Sequence, residues 1–160
     1  MIPVSDFKNA FMPLFAEIFG VSESEHGFIL DNGQSGLIGT IMNVSAAQAS
    51  QAPNNNQATL ASHTGHVLFL LHLFAAFERG ENPVPDWAGS WSVRQVDESA
   101  WDGLRQDLRT AYATVAERMQ NREEWPAPAV GAAMMLLAHC AYHVGEIRQR
   151  LLWIGEGTLA

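Results

Sequence analysis

Residues 97–121 read DESAWDGLRQDLRTAYATVAERMQN, and their spacing decides the fold class. Apolar side chains fall at Trp101, Leu104, Leu108, Tyr112, Val115 and Met119, each three or four positions after the last. That period stacks side chains on one face of an α-helix. Asp97 stands where an N-cap carboxylate accepts backbone N–H groups, and Glu98 in the first turn suits the helix dipole. A helix with one apolar stripe needs neighbours to cover it.

Three further segments are candidates for those neighbours. Residues 57–79 read as a long apolar helix that ends at Gly80, Asn82 and Pro83. Residues 130–154 read as the last long helix, after the break at Trp125-Pro-Ala-Pro128. Residues 5–19 carry Phe7, Phe11, Leu14, Phe15 and Ile18 at helical spacing, with Ser5 and Asp6 as caps. Pro13 lies inside that pattern and is expected to kink the helix or to start its regular part. Between these segments, residues 21–35 read as loop, and 36–51 as one or two short helices with Ser45 as a cap. Pro53-Asn-Asn-Asn56 is a break. Residues 80–96 form a long connection rich in Pro and Trp. No alternating strand pattern or hairpin turn interrupts this series. The expected architecture is all-α: one domain over residues 1–160, a four-helix bundle with its long helices antiparallel.

Composition narrows the function. Of 160 residues, 48% are hydrophobic and 16% charged, too apolar a balance for a disordered chain. Seventeen acids against nine bases give a net charge of -8. A nucleic-acid partner and an anionic membrane surface are both disfavoured by that charge. The most apolar run, Val67 to Phe77, is short for a span and is interrupted by His72, so no membrane crossing is expected. The opening residues Met-Ile-Pro-Val-Ser-Asp-Phe-Lys have no secretory pattern. A single cysteine, Cys140, rules out an internal disulfide and Cys-rich zinc modules, and the expected compartment is the cytoplasm. Leu68, Phe69 and Leu71 lie off the histidine side of their helix, and this apolar surplus leads to the expectation of a homodimer.

Six histidines stand out in so small an acidic chain. His139 and His143 are four apart, which places two imidazoles one turn apart on one helix face. A third ligand must come from a neighbouring helix. The helix after Pro53 offers His63 and His66 on a face shared with Thr59, Leu70, Leu73 and Phe77. Bundle cores are where such sites are built, and three neutral imidazoles leave metal positions open, as catalytic sites do. The plainer reading is a set of hydrogen-bonded core histidines. A ferritin-like di-iron site is excluded, because Glu146 follows His143 in the order opposite to Glu-x-x-His. His26 and His72 read as surface or satisfied polar residues. Cys140 reads as an inert buried thiol, and Tyr142 as a packing residue.

The stretch Leu137-Ala-His139-Cys-Ala-Tyr-His143-Val-Gly-Glu-Ile-Arg-Gln149 resembles the His-x-x-x-His-x-Gly-x-Ile signature of the last helix in the DinB/YfiT-like family. Thr59-Leu-Ala-Ser-His63-Thr-Gly-His66-Val-Leu-Phe69 is similar to that family's second-helix motif, where a small hydroxyl residue precedes the ligand histidine by two turns. Asp86-Trp-Ala-Gly-Ser-Trp91 and Val96-Asp-Glu-Ser-Ala-Trp101 resemble one bacterial branch of it. The resemblance implies a four-helix bundle, commonly dimeric, with one divalent metal, usually zinc or nickel, on three histidines. By that count the ligands are His66, His139 and His143. His63 becomes an alternative ligand or an outer partner of the site. The implied activities are metal-dependent transfer of low-molecular-weight thiols and related small-molecule isomerisation or hydrolysis. Glu146 is a candidate outer partner, and Trp87 and Trp91 are candidate walls of a substrate pocket or, in the plainer reading, packing anchors. The alternatives are a metal- or small-ligand-binding bundle without turnover, and a structural dimer with satisfied core histidines.

Overall fold

The chain is described by a computed structural model over residues 4–20, 27–30, 35–52, 54 and 57–157. It is all-helical among the described residues, in the order α1 (Val4–Phe19), α2 (Leu37–Met42), α3 (Ala46–Ala49), α4 (Leu60–Glu78), a 3₁₀ turn (Gly89–Trp91), α5 (Glu98–Asn121) and α6 (Ala127–Gly157). His26 and parts of the segments read as loop and break lie outside the described residues.

Local chemistry accounts for the boundaries. The Asp97 carboxylate accepts from the Ala100 amide at 2.8 Å and starts α5 one residue inside the expected range. Thr59 and Ser62 form a reciprocal capping box that starts α4, and Ser45 and Gln48 do the same for α3. Pro13 does not end α1. It lies on the exposed side with Asn9, so the carbonyl that loses its partner faces water.

The long helices α1, α4, α5 and α6 share one apolar core. On α1, Phe7, Phe11, Phe15 and Phe19 form a ladder at four-residue spacing, met by Tyr112 of α5 and by Trp125 before α6. The Lys8 ammonium donates to the Gln120 carbonyl, so α1 and α5 are antiparallel. The expectation of antiparallel neighbours fails for α4 and α5. The C-terminal end of α4 meets the C-terminal end of α5 through the Glu78–Arg122 ion pair. Midway, Leu71 and Ala75 share a groove with Asp107 and Ala111. The two helices therefore run in the same direction, because residues 79–97 return along the length of α4 before α5 begins.

Helix α4 is buried nearly all round, including Leu60, Val67, Leu70, Leu71 and Phe74. Leu71 is fully buried, and Leu68 and Phe69 are partly so, which removes the apolar surplus read from this helix. Phe77, expected inward, is exposed. Among the described helices, α6 instead carries the most exposed large apolar side chains: Met134, Met135, Tyr142, Leu152 and Trp153. Both α4 and α6 are long and apolar enough to cross a membrane, which the count over Val67–Phe77 missed. In α4, 67% of the apolar window is buried within the protein, against 28% in α6.

The short helices are tied to the start of α5. The Trp101 indole donates to the Val44 carbonyl at 2.7 Å, and the Glu98 carboxylate accepts from the Ala46 amide at 3.1 Å. On α1, buried Glu17 accepts from the amides of Phe28, Ile29 and Leu30 at 2.7–3.1 Å. Burial alone would raise this carboxyl, and the three amide donors hold it below the usual range. Glu17→Ala should lose about 2 kcal/mol in urea unfolding, because charge-assisted bonds vanish and amides lose their acceptor. Since the folded carboxyl titrates below its unfolded value, the difference between wild type and variant should be full above pH 4.5 and shrink as pH falls below it.

Candidate metal centre

The histidine cluster forms where α4 and α6 cross antiparallel under the returning connection. His139 and His143 project from α6, and His63 and His66 from α4. Donor atoms of His66, His139 and His143 all lie within 4.8 Å of one another, so these side chains could hold a metal ion. His66 Nε2 and His139 Nε2 are 3.3 Å apart. Two nitrogens bound at about 2.0–2.1 Å to one tetrahedral zinc also stand about 3.3 Å apart. His143 Nε2 is buried and has no hydrogen-bond partner among the described residues. An orphaned imidazole nitrogen beside two others is the donor set that a borderline-soft divalent cation takes.

His63 has a different position. Its Nδ1 lies 2.9 Å from His143 Nδ1. One of these nitrogens must carry the shared proton. Ligation by His143 Nε2 requires that proton on His143 Nδ1, with His63 accepting. His63 is thus in contact with the cluster through His143 and outside the set of three. Arg150, one turn beyond Glu146, pairs with the Glu146 carboxylate at 3.4 Å and donates to the Ala58 carbonyl. Glu146 accordingly joins Arg150 rather than the three histidines.

The connection closes the other side. The Trp91 ring stacks on His66 with centroids 4.1 Å apart and meets His63 and His143 edge to face. Trp91 is therefore a wall of the cluster. Trp87 packs on Phe69 and is about half exposed. Gly65, between His63 and His66, lets the connection lie close: a Cβ there would be 3.3 Å from the Val93 side chain. Ser90 was invisible to spacing arguments, yet its hydroxyl lies 2.7 Å from His66 Nδ1. Only its place between two tryptophans on a long ordered connection could have drawn attention to it.

Burial sets the protonation of the cluster. It pushes His63 and His66 down to about 4, with Arg150 and His66 adding to the effect on His63, and His139 to that on His66. His143 is pushed down to about 3, by burial first and then by the other three imidazoles. Burial also lowers His139, the only one of the four that is not fully buried. All four are neutral near pH 7, the state a metal ligand requires. Burial raises the Cys140 thiol to about 12, in keeping with an inert side chain. Tyr142 is exposed and meets His143 edge to face. His72 is exposed on α4.

The sign of the pH effect follows. These histidines titrate lower folded than unfolded, so the unfolded chain takes up protons first as pH falls. Stability of the metal-free protein should be full above pH 6.5 and decline between pH 6.5 and about 3. Urea midpoints measured across that range should show the decline, and His143→Gln should make it shallower. Comparison with protein-family models, with curated proteins and with solved structures found no match to this chain.

Proposed function

We propose that the chain is a divalent-metal protein of the DinB/YfiT-like kind, a four-helix bundle acting on small molecules in the cytoplasm. The ligands are His66, His139 and His143, the ion is zinc or nickel, and the activity is transfer of a low-molecular-weight thiol or a related reaction. The observation that carries this reading is the convergence of three neutral imidazoles from two helices, with one Nε2 pair at a tetrahedral edge length. The motifs at Thr59–Phe69 and Leu137–Gln149 support the family, and so does the ring of contacts from α1 to α5, α4 and α6.

When bound, a divalent ion would lower the pKa of a thiol and keep it as a nucleophilic thiolate. The chain's own residues do the remaining work. His66, His139 and His143 supply neutral donors, and His63 holds the outer nitrogen of His143. Trp91 excludes water on the α4 side. Approach is from the side of His139, which is partly exposed. No carboxylate belongs to the cluster of three, so an anionic partner suits the positive ion. The exposed apolar face of α6 supports a homodimer. The net charge of -8 supports no nucleic-acid role.

One observation favours ligand binding without turnover as a second reading. His63, His66 and His143 are only 3%, 3% and 1% exposed, which leaves little room for a substrate unless the connection moves. A thiol-transfer assay on metal-loaded protein separates the two readings.

Metal analysis of untagged protein should give one divalent ion per chain. His139→Ala with His143→Ala should abolish binding and keep the helical circular dichroism, because apolar packing supplies most of the stability. His63→Ala should weaken binding by roughly tenfold without abolishing it. One ion per chain in the double variant would refute the ligand assignment.

A further inference from the structure

We infer that Ser90 is a positioning residue that fixes the tautomer of His66 and so aims its Nε2 lone pair at the metal position. The inference rests on the metal reading above, and it reaches a residue that the histidine motifs do not contain.

The argument is a count of protons. The Ser90 hydroxyl has one proton and two neighbours. It lies 2.7 Å from the Trp87 carbonyl oxygen and 2.7 Å from His66 Nδ1. A carbonyl oxygen can only accept, and two oxygens at that distance repel unless a proton lies between them. The hydroxyl proton therefore goes to Trp87. Ser90 can then serve His66 only as an acceptor, so His66 Nδ1 carries the imidazole proton. His66 Nε2 is left as a bare lone pair, facing His139 Nε2 at 3.3 Å. In the metal-free protein that lone pair accepts from His139 Nε2–H. With a metal in place it is a ready ligand.

The placement of Ser90 is built into the connection. Its side chain is buried at the 3₁₀ turn, and its amide donates to the Asp86 carbonyl at 3.1 Å. The Asp86 carboxylate accepts from the Gly89 amide at 2.8 Å. A Cβ at Gly89 would come 2.2 Å from Asp86 Oδ2, so a larger residue there must displace that carboxylate. Trp91 stacks on the face of the His66 ring that this bond orients. The ring of a solvated histidine side chain prefers its proton on Nε2, which would block ligation by that atom. The Ser90 bond selects the other tautomer before a metal arrives, and a ligand held in this way binds more tightly.

Long-range ¹H–¹⁵N spectra of the metal-free full chain read the tautomer directly. Zinc competition titrations of the same samples read the affinity. The expected result is His66 as Nδ1–H in wild type and in Ser90→Thr, and a shift toward Nε2–H in Ser90→Ala. Zinc affinity should fall roughly tenfold or more in Ser90→Ala and stay near wild type in Ser90→Thr. Matching circular dichroism and urea midpoints for the two variants separate this from unfolding. His66 as Nε2–H in the wild type overturns the inference. So does wild-type zinc affinity in Ser90→Ala while wild type binds one ion per chain. A wild-type protein with His66 as Nδ1–H that takes up no zinc overturns the metal reading instead, and leaves the Ser90 bond without that purpose.

Discussion

A neutral imidazole has one proton and one lone pair, and out of water each needs a partner or a purpose. That constraint governs the space between α4 and α6. Four histidines are placed there, three of them almost wholly buried. Their protons are handled in pairs, His63 with His143 and His66 with Ser90. What remains is unpaired Nε2 capacity at His63 and at His143, the latter close to His66 and His139. An apolar core would be more stable with leucines at such places unless the leftover lone pairs are put to use. The Nε2 positions of His66, His139 and His143 are close enough together that one metal ion could satisfy them.

The rest of the molecule holds that pocket of polarity in place. Helix α4 can carry two histidines because its other faces are apolar and covered by α5 and α6. The parallel course of α4 and α5 forces the chain to cross back between them. The crossing passes over His66 and delivers Ser90 and Trp91 to the cluster. Were α4 and α5 joined by a tight reversal, the α4 histidines would face solvent on that side. The aromatic ladder of α1, the Glu17 nest and the Trp101 anchor lie away from the histidines and stiffen the remainder of the bundle.

Much of the helical layout was legible in the chain. Period and caps placed α5 to within one residue, and Ser45 marks the start of α3, whereas α4 begins three residues after the expected Gln57, where the Thr59 hydroxyl caps it. Helical spacing also put His139 and His143 on one face, since a four-residue step on a helix does this whatever surrounds it. The choice between His63 and His66 was not legible from spacing, because one turn separates neighbours on the same face. Packing decides it: His63 turns to His143 Nδ1, and His66 reaches His139 Nε2. Glu146 shows the same limit, since its partner Arg150 is also one turn away and takes the carboxylate.

Direction and burial needed the tertiary structure. A connection of Pro and Trp residues has no periodicity to show whether it reverses the chain or carries it back, so the parallel pair α4 and α5 was hidden. Leu71 and Phe77 look alike in an apolar run, yet one is fully buried and the other is exposed near the helix end. By itself the sequence determined that the chain is helical, where its long helices lie, and which two histidines share a face, because these depend on interactions within a few residues. Only the tertiary structure decided which imidazoles meet, that Ser90 joins them, and that the free apolar face belongs to α6. Those outcomes depend on contacts between residues far apart in the chain, and no local pattern encodes them.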